Sequence, residues 1–159
     1  MRRGRLMIKY KEDADIFLSG ADALVNPVNC VGVSGAGLAK KFKEFFPENF
    51  SAYTKACSEN EVRPGQPYVF SYSAFILYII NFPTKRHFRD KSKVEDISSG
   101  LDWLKDYLEN NKDIRSIAIP ALGCGLGGLS WQDVKILIEE KLGLVSCEVL
   151  VYAPKGAKR

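Results

Sequence analysis

Asn26-Pro27-Val28-Asn29-Cys30-Val31-Gly32-Val33-Ser34-Gly35-Ala36-Gly37 sets two asparagines and three glycines between an apolar run and an amphipathic one. The preceding Ala23-Leu24-Val25 is short, apolar and closed by a proline, which reads as the end of a buried strand. Beyond the glycines, Leu38, Phe42, Phe45 and Phe46 recur with Lys40, Lys41, Lys43 and Glu44 between them, the pattern of a helix with one apolar face. Strand, glycine loop and helix in that order suit an anion. Glycines let backbone N–H groups close on a phosphate, and the helix N-terminus adds a partial positive charge. Lys40 stands where a dinucleotide fingerprint has its third glycine, which argues against an NAD site, and no Gly-Lys-Ser/Thr phosphate loop occurs. By itself the stretch could equally be a surface turn, the commonest use of glycine and asparagine.

A second stretch weakens the surface-turn reading. Ile114-Arg115-Ser116-Ile117-Ala118-Ile119-Pro120 predicts a buried strand that delivers the chain to Gly123-Cys124-Gly125-Leu126-Gly127-Gly128. Ser130 is placed to cap a helix carrying Val134, Ile136, Leu137 and Ile138, which Gly143 closes. Two such loops could hold both phosphates of a diphosphate. Aromatic and β-branched runs predict further strands over 6–10, 68–72, 75–80 and 148–152, and apolar spacing predicts helices over 50–57 and 94–108. Alternating strands and helices argue an α/β fold whose sheet is covered on both faces, with ligands at the carboxyl ends of the strands.

With 159 residues and a net charge of +4, the chain is sized for one domain, and an acidic ligand or nucleic acid suits it better than a cationic one. No apolar run approaches a membrane span, so the cytoplasm is the expected address. Cys30, Cys57, Cys124 and Cys147 stand singly, without zinc or disulfide spacing, and read as buried thiols in a reducing compartment. His87 is the sole histidine, which excludes multi-histidine metal sites and leaves neither a metal nor a cofactor expected.

The candidate site residues each have a plain alternative. Asn26 and Asn29 are turn residues or ligands for sugar hydroxyls, and Asp15 is a solvated carboxylate or an acceptor for an exocyclic amine. Asn81-Phe82-Pro83-Thr84-Lys85-Arg86-His87-Phe88-Arg89-Asp90-Lys91-Ser92-Lys93 reads as a basic loop: a solvated surface, or a patch for nucleic acid through Arg86, His87 and Arg89. The sharper reading makes Lys85 a nucleophile or acid–base group, because a lysine acts so only as the neutral amine, which neighbouring cations and apolar cover favour. Cys124 with His87 is the one Cys–His pair available, and a cysteine between glycines is more simply a small filler.

The residues carry a resemblance. Asp15-Ile16 followed by Asp22-Ala23-Leu24-Val25-Asn26-Pro27-Val28-Asn29 resembles the opening of a macrodomain. Val31 to Ala39, Phe46-Pro47-Glu48-Asn49-Phe50, Ile79 to His87 and Ala118 to Leu129 narrow the resemblance to macrodomains of the DarG antitoxins, related to the human terminal ADP-ribose glycohydrolase group. The resemblance implies a three-layer α/β/α macrodomain with a central mixed, mostly parallel sheet, spanning 1–159 with frayed ends near 1–5 and 154–159. It implies ADP-ribose as ligand: Asp15 and Ile16 at the adenine, with Tyr152 flanking it. The ribose and diphosphate then fall to Asn26, Asn29, Cys30, Val31, Gly32, Val33, Ser34, Gly35 and Gly37 together with Pro120, Gly123, Cys124, Gly125, Leu126 and Gly127. Lys85 matches the family's catalytic lysine.

The activity implied is removal of ADP-ribose from thymidine bases of single-stranded DNA, reversing a DarT-type toxin. Two departures matter. Gly127 stands where the human branch has a catalytic aspartate, and the toxin-binding C-terminal domain of full-length DarG has no counterpart in this chain, which puts toxin binding in doubt. A monomer is expected. Two other readings stay open: an ADP-ribose-binding module without turnover, and a hydrolase acting on ADP-ribosylated protein or O-acetyl-ADP-ribose.

Overall fold

The computed structural model describes residues 7–157. The expected fraying of 1–5 and of the last two residues, and Leu6 at the start of the first strand, lie outside the described residues. Strands β1 (Ile8–Lys11), β2 (Ala23–Asn29), β3 (Tyr68–Ser71), β4 (Tyr78–Lys85), β5 (Ser116–Pro120) and β6 (Glu148–Tyr152) form one sheet in the order β1-β6-β5-β2-β4-β3. Every pairing is parallel except that of β3 with β4. The helices are α1 (Gly37–Phe45), α2 (Pro47–Ser58), α3 (Val94–Asn110) and α4 (Trp131–Leu142), with a 3-10 turn at Ile16–Leu18.

Successive strand residues point to opposite faces, and the core divides accordingly. Val25, Ile80, Ile119 and Val151 pack with Leu101 and Leu104 of α3 and with Val134 and Ile138 of α4. Their neighbours Leu24, Ile79, Ala118 and Leu150 pack with Phe42 of α1 and with Ile16. Val28 packs with Tyr53 and Ala56 of α2. The result is the expected three layers around a mixed, mostly parallel sheet. Each fully buried branched side chain contributes roughly 1.5–3 kcal/mol by leaving water.

Two strands run further than their prolines suggest. β2 continues through Pro27 to Asn29, and β4 begins at Tyr78 and continues through Pro83 to Lys85, so residues 81–84, read as loop, are buried strand. Both prolines sit where a neighbour has stopped: β5 pairs with β2 only at Ala23 and Leu24, and β3 pairs with β4 only to Asn81. A missing N–H is tolerated along such an open edge. Phe75 and Ile76, read as strand, form a tight hairpin instead. The Ser73 hydroxyl accepts from both of their N–H groups, which leaves Phe75 88% exposed.

Asn81 joins the layers. Its Nδ2 donates to Asn49 Oδ1 at 2.9 Å and to the Tyr68 carbonyl at 3.1 Å, while its Oδ1 accepts from Asn26 and Asn49. Of the four thiols, only Cys147 is buried and the others are half-exposed: Cys30 and Cys124 lie in the two loops and Cys57 in the last turn of α2. Residues 154–157 close a turn in which the Ala157 N–H donates to the Pro154 carbonyl. Among the described residues no helix is long and apolar enough to cross a membrane.

Gly100 of α3 lies against the buried Phe82 ring, where an added Cβ would stand 2.3 Å from its nearest carbon. Gly100→Ala would stabilise an open helix by about 1 kcal/mol. Here it should destabilise by about 1–3 kcal/mol through overpacking, read by chemical denaturation.

Candidate functional site

The parallel strands end along one edge, and a cleft of about 1240 Å³ opens there. Asn29, Lys85, Pro120 and Tyr152, the last residues of β2, β4, β5 and β6, all line it. An irregularity in the β2–β4 pairing sets Asn29 opposite Lys85 and tucks Thr84 into the wall. An extra residue of this kind commonly re-aims a side chain beside an active site.

Asn29 builds the first glycine loop. Its Oδ1 accepts from the N–H groups of Val31, Gly32 and Val33 at 3.0, 3.0 and 3.3 Å, and its Nδ2 donates to the Val33 carbonyl at 2.7 Å. The buried Tyr53 hydroxyl lies 2.9 Å from the same Oδ1 and 2.7 Å from the Asn29 carbonyl oxygen. The carboxamide is thus spent on the loop, which is the turn reading of this asparagine. Asn26, buried in the Asn81 network, does not line the cleft, and neither do Cys30, Val31 and Gly32. Val33, Ser34, Gly35 and Gly37 do. The loop runs into α1, whose N-cap Ala36 offers no side-chain acceptor, so the first N–H groups of the helix are left for a ligand. The Ser34 hydroxyl is buried beside them without a partner among the described residues. A buried hydroxyl left unpaired costs about 1–3 kcal/mol, which a polar ligand would offset.

The second loop faces the first. Pro120, Gly123, Cys124, Gly125, Leu126 and Gly127 all line the cleft. Its turns are held by Cys124 N–H to the Ala121 carbonyl, Gly128 N–H to Gly125 and Leu129 N–H to Gly123. The N–H groups of Gly125, Leu126 and Gly127 make no such bond among the described residues. Gly127 is required by contact: a Cβ there would stand 2.2 Å from Ser92 Oγ and 2.6 Å from the Gly123 carbonyl oxygen. Ser92 occupies the space an aspartate at 127 would need. Burial pushes the Cys124 thiol up to about 11, so it stays protonated at neutral pH and is a poor nucleophile. The Cys30 thiol is likewise raised to about 11, by burial first and then by Cys57 and Asp96, against the opposing Arg86.

At one side of the cleft Asp15 caps the 3-10 turn, its Oδ1 accepting from the Phe17 N–H at 2.9 Å, and Ile16 and Phe17 line the wall beside it. Tyr152 is close by: burial raises its phenol, a hydrogen bond with Ser19 lowers it, and the Asp15 charge raises it further. Pro154 and Lys155, expected to fray, also line this side. At the other side the Lys85 ammonium donates to the Phe88 carbonyl at 3.3 Å. Arg86 is forked onto Asp96, with Nε to Oδ2 at 3.0 Å and Nη2 to Oδ1 at 3.1 Å, while half of its side chain stays exposed. Its carbonyl accepts from the Cys30 N–H, tying the Lys85 loop to the first glycine loop. His87 and Arg89 lie outside the cleft. The His87 Nδ1 accepts from the Arg89 N–H, and its ring stacks on Phe88, an arrangement that serves the loop and not a Cys124 nucleophile. Among the described residues no three acidic, histidine or cysteine side chains are grouped to hold a metal.

The family model described as Macro domain matches residues 25–138. The solved macrodomain of Thermus aquaticus DarG superimposes with a TM-score of 0.87 at 41% identity, covering 92% of this chain and 98% of that one. The chain is a DarG-type macrodomain. The macrodomain is also 43% identical, over 96% of its length, to a Mycobacterium tuberculosis protein named DNA ADP-ribosyl glycohydrolase, of which it spans 44%. Thermosipho africanus DarTG, solved in complex with ADP-ribose, matches 99% of the macrodomain with a TM-score of 0.88 at 34% identity, over 45% of that chain. The macrodomain therefore spans less than half the length of these curated relatives.

Phe88, Ser92, Tyr53 and Thr84 were not singled out as site residues. Phe88 had a signal, an aromatic inside a basic run, whereas the other three act through contacts that only folding creates. Asn29→Ala removes every bond of the carboxamide at once. It should lower stability by about 2–3 kcal/mol and weaken ADP-ribose binding at least about tenfold, read by thermal unfolding and calorimetry.

Proposed function

We propose that the macrodomain binds ADP-ribose across its cleft and hydrolyses the bond joining it to thymidine in single-stranded DNA, reversing a DarT-type toxin. The observation that carries this is the position of Lys85: it ends β4 opposite Asn29, in the same cleft as the two glycine loops. The names of the DarG relatives point the same way. In this reading Asp15 and Tyr152 receive the adenine, and the amides at 34–37 and 125–127 receive the diphosphate. The distal ribose then lies before Lys85. Fixing the sugar there converts the reaction into a local step, and loop dipoles aimed at the diphosphate need no rearrangement as charge shifts.

Lys85 attacks or polarises the anomeric carbon. The bond from that carbon to the base breaks, its electron pair leaves with the base, which takes up a proton, and water supplies the hydroxyl of free ADP-ribose. No aspartate at 127 takes part, because Ser92 fills that space. Arg89 and His87, with Arg86 where its side chain stays exposed, form a basic rim for the DNA backbone, whose contribution weakens with salt.

The test is release of ADP-ribose from a thymidine-ADP-ribosylated oligonucleotide. Lys85→Ala should lower kcat by about 10²- to 10⁴-fold while ADP-ribose affinity falls far less. Equal release by the two proteins would remove Lys85 from the chemistry. Tight ADP-ribose binding by the wild type with no release from DNA would make the macrodomain a reader and not an enzyme.

A further inference from the structure

The cleft carries aromatic rings at two separate places. Phe17 and Tyr152 stand with Asp15 on the β6 side, and Phe88 stands beside Lys85 on the β4 side. Between β6 and β4 lie β5 and β2, three strand spacings, or roughly 14 Å. ADP-ribose alone has one base. A ring at each side suits a ligand with a second base beyond the distal ribose.

Phe88 is held for such a role. It is 40% exposed, and its carbonyl takes the Lys85 hydrogen bond. The His87 ring stacks on it with centroids 4.2 Å apart and planes 28° apart, and the exposed-loop Arg89 guanidinium lies over the ring, 5.4 Å from its centre, a contact that a stacking base would replace. The loop is fixed at both ends, at Arg86 by Asp96 and at Ser92 by its N–H donating 3.0 Å to the Gly127 carbonyl. Inside it the Asp90 N–H donates to the His87 carbonyl at 3.0 Å. An aromatic stack so anchored loses little freedom when a flat group settles on it.

Resting on the glycohydrolase reading above, we propose that Phe88, backed by His87, is the stacking platform for the nucleobase that carries the ADP-ribose, with Arg89 beside it for the adjoining phosphate. A base bonded to the anomeric carbon at Lys85 lies close to Phe88, because the Lys85 ammonium rests on the Phe88 main-chain carbonyl and both residues line the cleft. Single-stranded bases have free faces for an aromatic ring, whereas a carboxylate or acetyl leaving group has none. Phe88 therefore favours base-linked ADP-ribose over ester-linked ADP-ribose.

The experiment measures kcat and KM for wild type, Phe88→Ala, Phe88→Leu and Phe88→Trp on the ADP-ribosylated oligonucleotide, with affinity for free ADP-ribose by calorimetry. Phe88→Ala and Phe88→Leu should raise the oligonucleotide KM about tenfold, the order expected for one lost stack, and Phe88→Trp should stay near wild type. Affinity for free ADP-ribose should fall by a clearly smaller factor. Equal losses on both ligands, or a Phe88→Leu protein matching wild type, would overturn the platform. Absence of release by wild type would overturn the glycohydrolase reading itself, and the platform with it.

Discussion

The constraint on which the molecule depends is the parallel pairing of β2, held by β4 along its whole length and by β5 at its start. Parallel strands end on one edge, so the side chains that follow β2, β4, β5 and β6 have to meet there. Both faces of the sheet must be covered to bury those strands, which commits α1 and α2 to one side and α3 and α4 to the other. The cleft is what remains uncovered at the strand ends. Its position follows from topology, and its chemistry from the few residues that occupy those ends.

Two of those residues divide the labour. Asn29 makes no use of its carboxamide for a ligand, because four donors and one acceptor of the protein already claim it. What it offers is a loop whose later residues, Val33 to Gly37, line the cleft. Lys85, set opposite by the irregular pairing, rests its ammonium on the Phe88 carbonyl and is the group we propose to act. The Arg86–Asp96 fork and the Ser92–Gly127 bond tie the Lys85 loop to α3 and to the second glycine loop, so Lys85 and the two glycine loops form one connected assembly.

Much of this was legible in the sequence because it rests on periodicity. The strand and helix faces around Leu24, Phe42, Ile97 and Val134 follow from spacing, and the two glycine loops stand out by composition. The strand ends did not, because a proline in a strand is normally a stop, and only the absence of a second neighbour, on the other side of Pro27 and of Pro83, permits it. Asn26 and Asn81 look like loop residues for the same reason and are buried hydrogen-bond partners. The role of Gly127 was legible as a departure from the human relatives, but its cause, the Ser92 hydroxyl, lies 35 residues away in the chain. Phe88 reads in the sequence only as apolar cover for Lys85, because its neighbours' charges dominate the run.

The central claim is that the four strand ends form one ADP-ribose cradle with Lys85 at its reacting end. A crystal structure with ADP-ribose bound tests it most directly. The account predicts the adenine between Asp15 and Tyr152, the diphosphate between residues 34–37 and 123–127, and the anomeric carbon of the distal ribose facing Lys85. A ligand bound in the reverse direction, or with that carbon turned away from Lys85, would contradict it.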